Sequence, residues 1–127
     1  GAKRAMPLPM SVPAHCSLMA PAAERLAERL AGVTITPPAV PVIHNVDLSV
    51  SDTAEAVRER LVAQVRSPVR WTECVQALAS RGIDTAMECG PGRVLAGLNR
   101  RIDRAMGSQA IHDADSLAKA LNLLETP

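Results

Sequence analysis

Aromatic side chains are almost absent from the sequence: Trp71 is the only one among 127 residues. Proteins that bind single-stranded nucleic acid stack bases on aromatic rings, so this composition argues against that function. The formal net charge is only +1, whereas a dedicated nucleic-acid binder carries a strong positive charge. We therefore expect an aliphatic core and no nucleic-acid partner.

Long apolar runs, a signal peptide and paired cysteines are lacking as well. No apolar run approaches the roughly 20 residues of a membrane-spanning helix, and no charged segment followed by a long apolar one opens the sequence. The three cysteines, Cys16, Cys74 and Cys89, cannot all pair and lack the spacing of metal ligands. These absences predict a cytoplasmic protein with reduced thiols, without a membrane partner and without a bound metal.

What the sequence does contain is an alternation of extended and amphipathic segments. Extended segments are predicted at 7–14, 42–46, 83–89 and 109–112, and helices at 17–31, 54–66, 67–81, 94–102 and 113–124. This order is typical of an α/β fold in which helices cover a parallel or mixed sheet. The length fits one domain or a piece of a larger one. The first six residues enter an extended segment without a turn or cap signal, as expected of a start within an element.

Polar residues and glycines predict where the helices begin and end. Asp52 and Glu55 have the spacing of a capping box, and Asp113 stands at the start of the last helix. Gly82 is expected to end the third helix. Within the second helix, Arg58 occupies a position where an apolar residue would have widened the buried face, so that face is predicted to be narrow.

His15 is the first candidate for chemistry, because it lies where a proline-rich extended segment turns into a helix. An imidazole, with an unperturbed pKa of about 6.5, suits proton transfer near neutral pH, and segments held by rigid elements often carry such groups. The alternative is that His15 only caps or packs against the following helix. A Cys-His pair with Cys16 is disfavoured, because neighbours in an extended segment point to opposite sides.

Other features are compatible with binding or with packing. Gly90-Pro91-Gly92 precedes a helix whose free amides could cradle an anion, although tight strand-to-helix packing is the simpler explanation. His44 and Asn45 lie in a predicted strand, where we expect both to form interior hydrogen bonds. Six arginines predict either a solvated surface or a docking site for an acidic protein. They are Arg66, Arg70, Arg93, Arg100, Arg101 and Arg104.

Five segments resemble malonyl-CoA:acyl carrier protein transacylases of bacterial fatty acid synthesis in sequence, order and spacing. They are GAKRAMPLPMSVPAHC at 1–16, IHNVD at 43–47, LVAQ at 61–64, SPVRW at 67–71 and ECGPGRVL at 88–95. The resemblance covers nearly the whole chain and implies an α/β fold in two parts. Residues 1–14 would end a ferredoxin-like small subdomain, and residues 15–127 would form the C-terminal part of a hydrolase-like parallel-sheet core with helices on both faces.

The resemblance also implies a ping-pong transfer of malonyl from coenzyme A to acyl carrier protein. In the family, a serine in a Gly-His-Ser-Leu-Gly elbow carries the malonyl group between the two thiols. His15 matches the histidine that acts as general base toward this serine and as general acid toward the leaving thiol, and Gln64 matches the residue whose backbone carbonyl orients it. Coenzyme A enters as a thioester substrate, so no separate cofactor is implied.

Two family features match nothing in this sequence: the serine elbow and the arginine that holds the malonyl carboxylate, both of which precede the matching part in the family. No serine here lies in a Gly-x-Ser-x-Gly pattern. We therefore expect a fragment that is inactive by itself and that self-associates through uncovered strand edges. Two other hypotheses stay open: a non-catalytic α/β module that docks an acidic carrier protein or an anionic ligand at 90–92, and a polyketide-type acyltransferase with another acyl group.

Overall fold

The computed structural model of the chain describes residues 1, 3, 5–7 and 10–125. Its contacts divide the chain into two units, Gly1–Val69 and Arg70–Pro127, which are described separately. Within the described residues, no helix combines the length and the apolar character that crossing a membrane requires.

The first unit is built on two helices. A short 3-10 turn at Ser17–Met19 leads into α1, Ala20–Ala31, and the second helix is α2, Ala54–Val65. A proline lies in the first turn of α1, where its missing N–H costs no helical hydrogen bond, and Gly32 follows the last turn. Helices α1 and α2 pack against each other. Both helices therefore form where the apolar periodicity predicts them.

The extended segments of the first unit form less sheet than predicted. In the segment 7–14, Leu8 and Pro9 lie outside the described residues, and the described ones belong to no strand. Pro7 and Pro13 have no N–H to donate to a ladder, which accounts for part of this difference.

The strand predicted at 42–46 is reduced to a single antiparallel bridge between Ile43 and Val50. A tight turn replaces the rest: the Leu48 N–H donates to the His44 carbonyl, and Leu48 adopts a positive φ of 66°. Asp47 secures the turn by accepting hydrogen bonds from Ser49. Burial alone would raise the pKa of Asp47, but these hydrogen bonds and the Arg60 charge outweigh it and lower the pKa.

The second unit is an α/β unit. It contains α3, Trp71–Ser80; β1, Thr85–Cys89; α4, Val94–Ile102; β2, Gly107–Ile111; and α5, Ala114–Glu125. Strands β1 and β2 are parallel, with Thr85 opposite Gly107 and Cys89 opposite Ile111. Helix α4 connects the strands and packs on both of them, α5 packs on β2, and α3 packs on α4. The α/β class is thus confirmed, and the predicted alternation of strands and helices is confirmed for this unit.

The core of this unit is aliphatic and built from small side chains, as the lack of aromatic residues predicts. Val75 is fully buried, and the other buried apolar residues are Cys74, Ala96, Met106, Ala110 and Ala120. Burial raises the pKa of the Cys74 thiol, which favours its neutral form. All three cysteines are free.

Two of the predicted helix ends are confirmed. Gly82 follows α3 with a positive φ of 79°, which glycine adopts at little cost, and its N–H donates to the Ala79 carbonyl. Asp113 caps α5 by accepting the Ser116 N–H at 2.8 Å. Hydrogen bonds from the Ser116 hydroxyl and amide lower the pKa of Asp113 below its ordinary value.

Other boundaries differ from the prediction by a few residues. The cap of α2 is Thr53 rather than Asp52: its hydroxyl accepts the Ala56 N–H at 3.2 Å, so no Asp52–Glu55 capping box forms. Helix α3 begins at Trp71 instead of directly after Pro68. Strand β1 loses the predicted first two residues because Ile83 donates its N–H to the Leu78 carbonyl at the end of α3.

Candidate active site

His15 lies at the corner between the extended segment and the 3-10 turn. Its backbone has a φ of 60°, in the left-handed region that non-glycine residues rarely adopt. Such a conformation costs on the order of 1–3 kcal/mol and persists only where the surrounding structure holds it. Here the His15 N–H donates to the Val65 carbonyl at 3.2 Å. The corner is therefore fixed to the end of α2.

The His15 ring makes a second contact with the same helix end. Its Nδ1 lies 2.7 Å from the Gln64 carbonyl oxygen. A carbonyl oxygen can only accept a hydrogen bond, so Nδ1 must carry the proton of this contact. Since the side chain is exposed, the opposite nitrogen, Nε2, is left with its lone pair directed away from α2 in the neutral ring. This arrangement is the one required of a general base.

The end of α2 explains why the Gln64 carbonyl is available. In a continuing α-helix this carbonyl would accept the N–H of residue 68, but residue 68 is Pro68 and has no N–H. The helix ends at Val65, with Arg66 as its C-cap. The last carbonyls of a helix lack internal donors and carry partial negative charge. His15 binds two of them, which places its ring at the negative end of α2.

His44 and Asn45 do not behave as predicted. The His44 backbone takes part in the turn, since its N–H donates to the Ser49 carbonyl at 2.9 Å. The His44 Nε2 and the Asn45 Oδ1, however, are buried atoms without a hydrogen-bond partner. The expectation of satisfied interior hydrogen bonds was wrong for these two atoms: the segment turns at Asn45 instead of continuing as a strand, and no group in the described part of the chain forms a hydrogen bond with either atom.

The glycine turn 90–92 is not a free anion cradle. The Glu88 carboxylate on β1 reaches across the turn and accepts the Ala96 N–H of α4 at 2.8 Å. A Cβ on Gly92 would lie 3.6 Å from the other carboxylate oxygen of Glu88, so the turn and this side chain are closely packed. The chain thus supplies its own anion to the start of α4, which supports the packing interpretation and counts against an external anion at this turn.

We predict that Glu88→Ala lowers the free energy of unfolding by about 1–2 kcal/mol, because α4 loses a charged hydrogen-bond partner at its N-terminus. Urea unfolding followed by the fluorescence of Trp71, which lies in the same unit, measures this change. Glu88→Gln is the matched control: it keeps an acceptor oxygen, loses only the charge, and should lose less stability. Equal stability of Glu88→Ala and the unchanged chain would contradict the capping role.

Two of the arginines predicted to form a basic surface donate hydrogen bonds to other groups of this chain. Arg100 donates to the Ser108 carbonyl at 2.6 Å, and Arg70 donates to the Glu73 carboxylate at 2.7 Å. Arg93, Arg101 and Arg104 are exposed.

Cys16, the neighbour of His15, donates a hydrogen bond from its thiol to the Pro13 carbonyl at 3.2 Å.

The first unit thus holds an exposed histidine on a main-chain carbonyl at the end of a helix, and comparison with known proteins shows which class of protein carries this sequence. No protein-family model matches the chain. The malonyl CoA-acyl carrier protein transacylase of Escherichia coli (strain K12) is 46% identical over 123 residues, which cover 97% of this chain and 40% of the relative.

Solved structures agree. The acyl-carrier-protein S-malonyltransferase of Burkholderia pseudomallei matches with a TM-score of 0.90 and 48% identity, over 96% of this chain and 40% of that one. A malonyl-transacylase in complex with its type II PKS acyl-carrier protein matches with a TM-score of 0.92 and 48% identity, over 97% and 40%. The chain is homologous to malonyl-CoA:acyl carrier protein transacylases, matches the C-terminal part of their fold, and spans about 40% of their length.

Proposed function

We propose that this chain supplies the general base of a transacylase that moves malonyl from coenzyme A to acyl carrier protein. The observation that supports this most directly is the 2.7 Å contact between His15 Nδ1 and the Gln64 carbonyl oxygen. That contact fixes the tautomer in which Nε2 accepts a proton. The homology to malonyl-CoA:acyl carrier protein transacylases supplies the substrate and the reaction.

In the proposed first half-reaction, His15 Nε2 takes the proton of a serine hydroxyl from a nucleophile elbow. The serine oxygen attacks the malonyl thioester carbonyl, the C–S bond breaks, and the imidazolium returns its proton to the coenzyme A thiolate. In the second half-reaction Nε2 takes the proton of the carrier-protein thiol, which attacks the malonyl ester and displaces the serine oxygen. That oxygen recovers the proton from His15, so each half-reaction leaves the imidazole neutral.

The carbonyl of Gln64 takes the place that a carboxylate occupies in a Ser-His-Asp triad. A single carbonyl carries less charge than a carboxylate, but it lies in the last turn of α2, where the helix dipole adds roughly half a negative charge. We infer that this helix end supports the imidazolium formed during transfer. The Gln64 side chain has no part in this role.

Acyl carrier protein is the proposed partner, and the relative solved with a type II PKS carrier protein favours a wider range of carrier proteins as acceptors. The docking module without catalysis is less well supported, because Glu88 occupies the helix end that would have held an anion.

Four further features stay predictions. They are the division at residue 14, the cytoplasmic localisation, the self-association and the absence of a cofactor other than the thioester substrate.

A chimera tests the proposed function. The 123 aligned residues of the Escherichia coli transacylase are replaced by those of this chain, and malonyl transfer from malonyl-CoA to acyl carrier protein is measured. We expect transfer by the chimera. A folded chimera that transfers no malonyl would contradict the proposal.

We expect the purified 127-residue chain, in contrast, to form no malonyl-enzyme, because none of its serines lies in a nucleophile elbow. Intact-mass spectrometry after incubation with malonyl-CoA checks this. A malonyl adduct on a serine of this chain would mean that the nucleophile lies within it, and the proposed division of roles would be wrong.

A further inference from the structure

Arg58, on α2, binds the end of α1. Its Nε donates to the Leu30 carbonyl at 3.0 Å and its Nη2 donates to the Val33 carbonyl at 2.9 Å. The Leu30 carbonyl lies in the last turn of α1, where it also accepts the Gly32 and Val33 N–H groups, and Val33 follows the C-cap Gly32; the partial negative charge at this helix end attracts a cation. The planar guanidinium can bridge two such acceptors at a fixed spacing, which an ammonium cannot do. The position that interrupts the apolar face of α2 in the sequence thus holds a cross-link between helices.

A second cross-link joins the same two helices at their opposite ends. Arg58 is near the start of α2 and contacts the end of α1, whereas His15 precedes α1 and contacts Gln64 and Val65 at the end of α2. The helices are therefore antiparallel and tied at both ends. Because His15 is joined to α1 through the 3-10 turn, we infer that sliding of α2 along α1 would strain the contact between the Gln64 carbonyl and the His15 ring as well as the contacts of Arg58.

The packing between the two helices is too thin to fix their register by itself. Ala23 is the only buried residue of α1, and α2 has none. A groove of about 460 Å³ runs between them, and its apolar lining comes mainly from small side chains. These residues are Ala27, Leu30, Ala31, Val62 and Ala63. Because only one residue of the two helices is buried, we infer that the hydrogen bonds at the two ends determine the register.

We propose that Arg58 is a positioning residue for the catalytic base: it fixes the register of α2 against α1 and thereby holds the Gln64 carbonyl within hydrogen-bond distance of His15. The proposal rests on the proposed function. Hydrogen bonds of this kind weaken beyond about 3.2 Å, so a register change of more than about half an ångström weakens the 2.7 Å contact.

The test uses the whole chain labelled with ¹⁵N and reads the imidazole of His15 by NMR above the usual titration range of histidine. Nitrogen chemical shifts distinguish the tautomer with Nδ1–H from the one with Nε2–H. In the unchanged chain we expect the Nδ1–H tautomer to predominate. In Arg58→Met its fraction is expected to fall at least twofold, toward the value in the urea-unfolded chain, and Arg58→Lys is expected to lie between the two.

Arg25→Met is the matched control, because Arg25 is an exposed arginine on α1, and it should leave the tautomer fraction unchanged. If Arg58→Met is folded by circular dichroism and keeps the original fraction, Arg58 has only a structural role and the proposal is wrong. If Arg58→Met does not fold, Arg58→Lys, which retains the charge at the end of α1, is measured in its place. A lowered fraction of the Nδ1–H tautomer in Arg58→Lys supports the proposal, and an unchanged fraction contradicts it. A predominant Nε2–H tautomer in the unchanged chain would instead contradict the contact on which the proposed function rests.

Discussion

In the chimera that carries the residues of this chain, His15→Ala is expected to lower kcat/KM for malonyl transfer by about 10²- to 10⁴-fold, the usual contribution of a general acid-base group. The loss arises because the serine hydroxyl and the carrier-protein thiol no longer have an acceptor for their protons. The measurement is the rate of malonyl transfer at several substrate concentrations. A loss in kcat rather than a rise in KM would place the effect in the chemical steps.

Gln64→Ala is the control for this experiment. The 2.7 Å contact uses the main-chain carbonyl of residue 64. Any residue that keeps the helical backbone at this position supplies the same carbonyl. We therefore expect Gln64→Ala to retain most of the activity of the chimera. Equal losses from Gln64→Ala and His15→Ala would show that the glutamine side chain acts in catalysis. A His15→Ala chimera that keeps full activity would contradict the proposal that His15 is the general base.

The helices could be predicted from sequence because each depends on local periodicity. The apolar spacing of α1 and α5 gives their faces directly, and Gly82 and Asp113 mark helix ends through their own backbone preferences. The α/β class follows from the order of β1, α4 and β2. The cap of α2 was assigned one residue early, because Asp52 and Thr53 are adjacent and both residue types cap helices well.

The site was harder to predict because its parts are distant in sequence. His15 and Gln64 are 49 residues apart, and no periodicity connects a ring nitrogen to a carbonyl at that separation. Only the family resemblance paired them. One local signal was present: Pro68, four residues after Gln64, removes the donor that the carbonyl would otherwise bind. A proline at this spacing marks a free carbonyl at a helix end but does not identify its partner.

Charged residues that bind main-chain groups were the features that sequence reasoning missed. Arg58 and Glu88 both have the appearance of surface residues, yet Arg58 binds two carbonyls of α1 and Glu88 accepts an amide of α4. Such contacts depend on how separate elements meet and leave no periodic pattern. The sequence indicated their effects only indirectly, through the narrow apolar face of α2 and the glycine turn before α4.

Asn99→Leu is expected to destabilise the second unit by about 2–4 kcal/mol, because it leaves two polar groups without partners. Asn99 is 5% exposed, and its Oδ1 accepts the Trp71 Nε1–H at 3.0 Å while its amide donates to the Ser108 hydroxyl at 3.3 Å. The three residues belong to α3, α4 and β2, so one amide joins three elements. Thermal unfolding followed by far-UV circular dichroism measures the loss independently of any change at the fluorophore.

A double-mutant cycle with Ser108→Ala distinguishes loss of the hydrogen-bond network from poor packing of the leucine side chain at position 99. Ser108 is 7% exposed, and removing its hydroxyl alone should cost about 1 kcal/mol. In the double variant we expect less than the sum of the two losses, because the hydroxyl that Asn99→Leu would leave unpaired is already absent. Additive losses would mean that leucine simply fits poorly. In a core made of alanine, valine, cysteine and methionine side chains, non-additivity would show that a polar network connects α3 and α4 to the sheet.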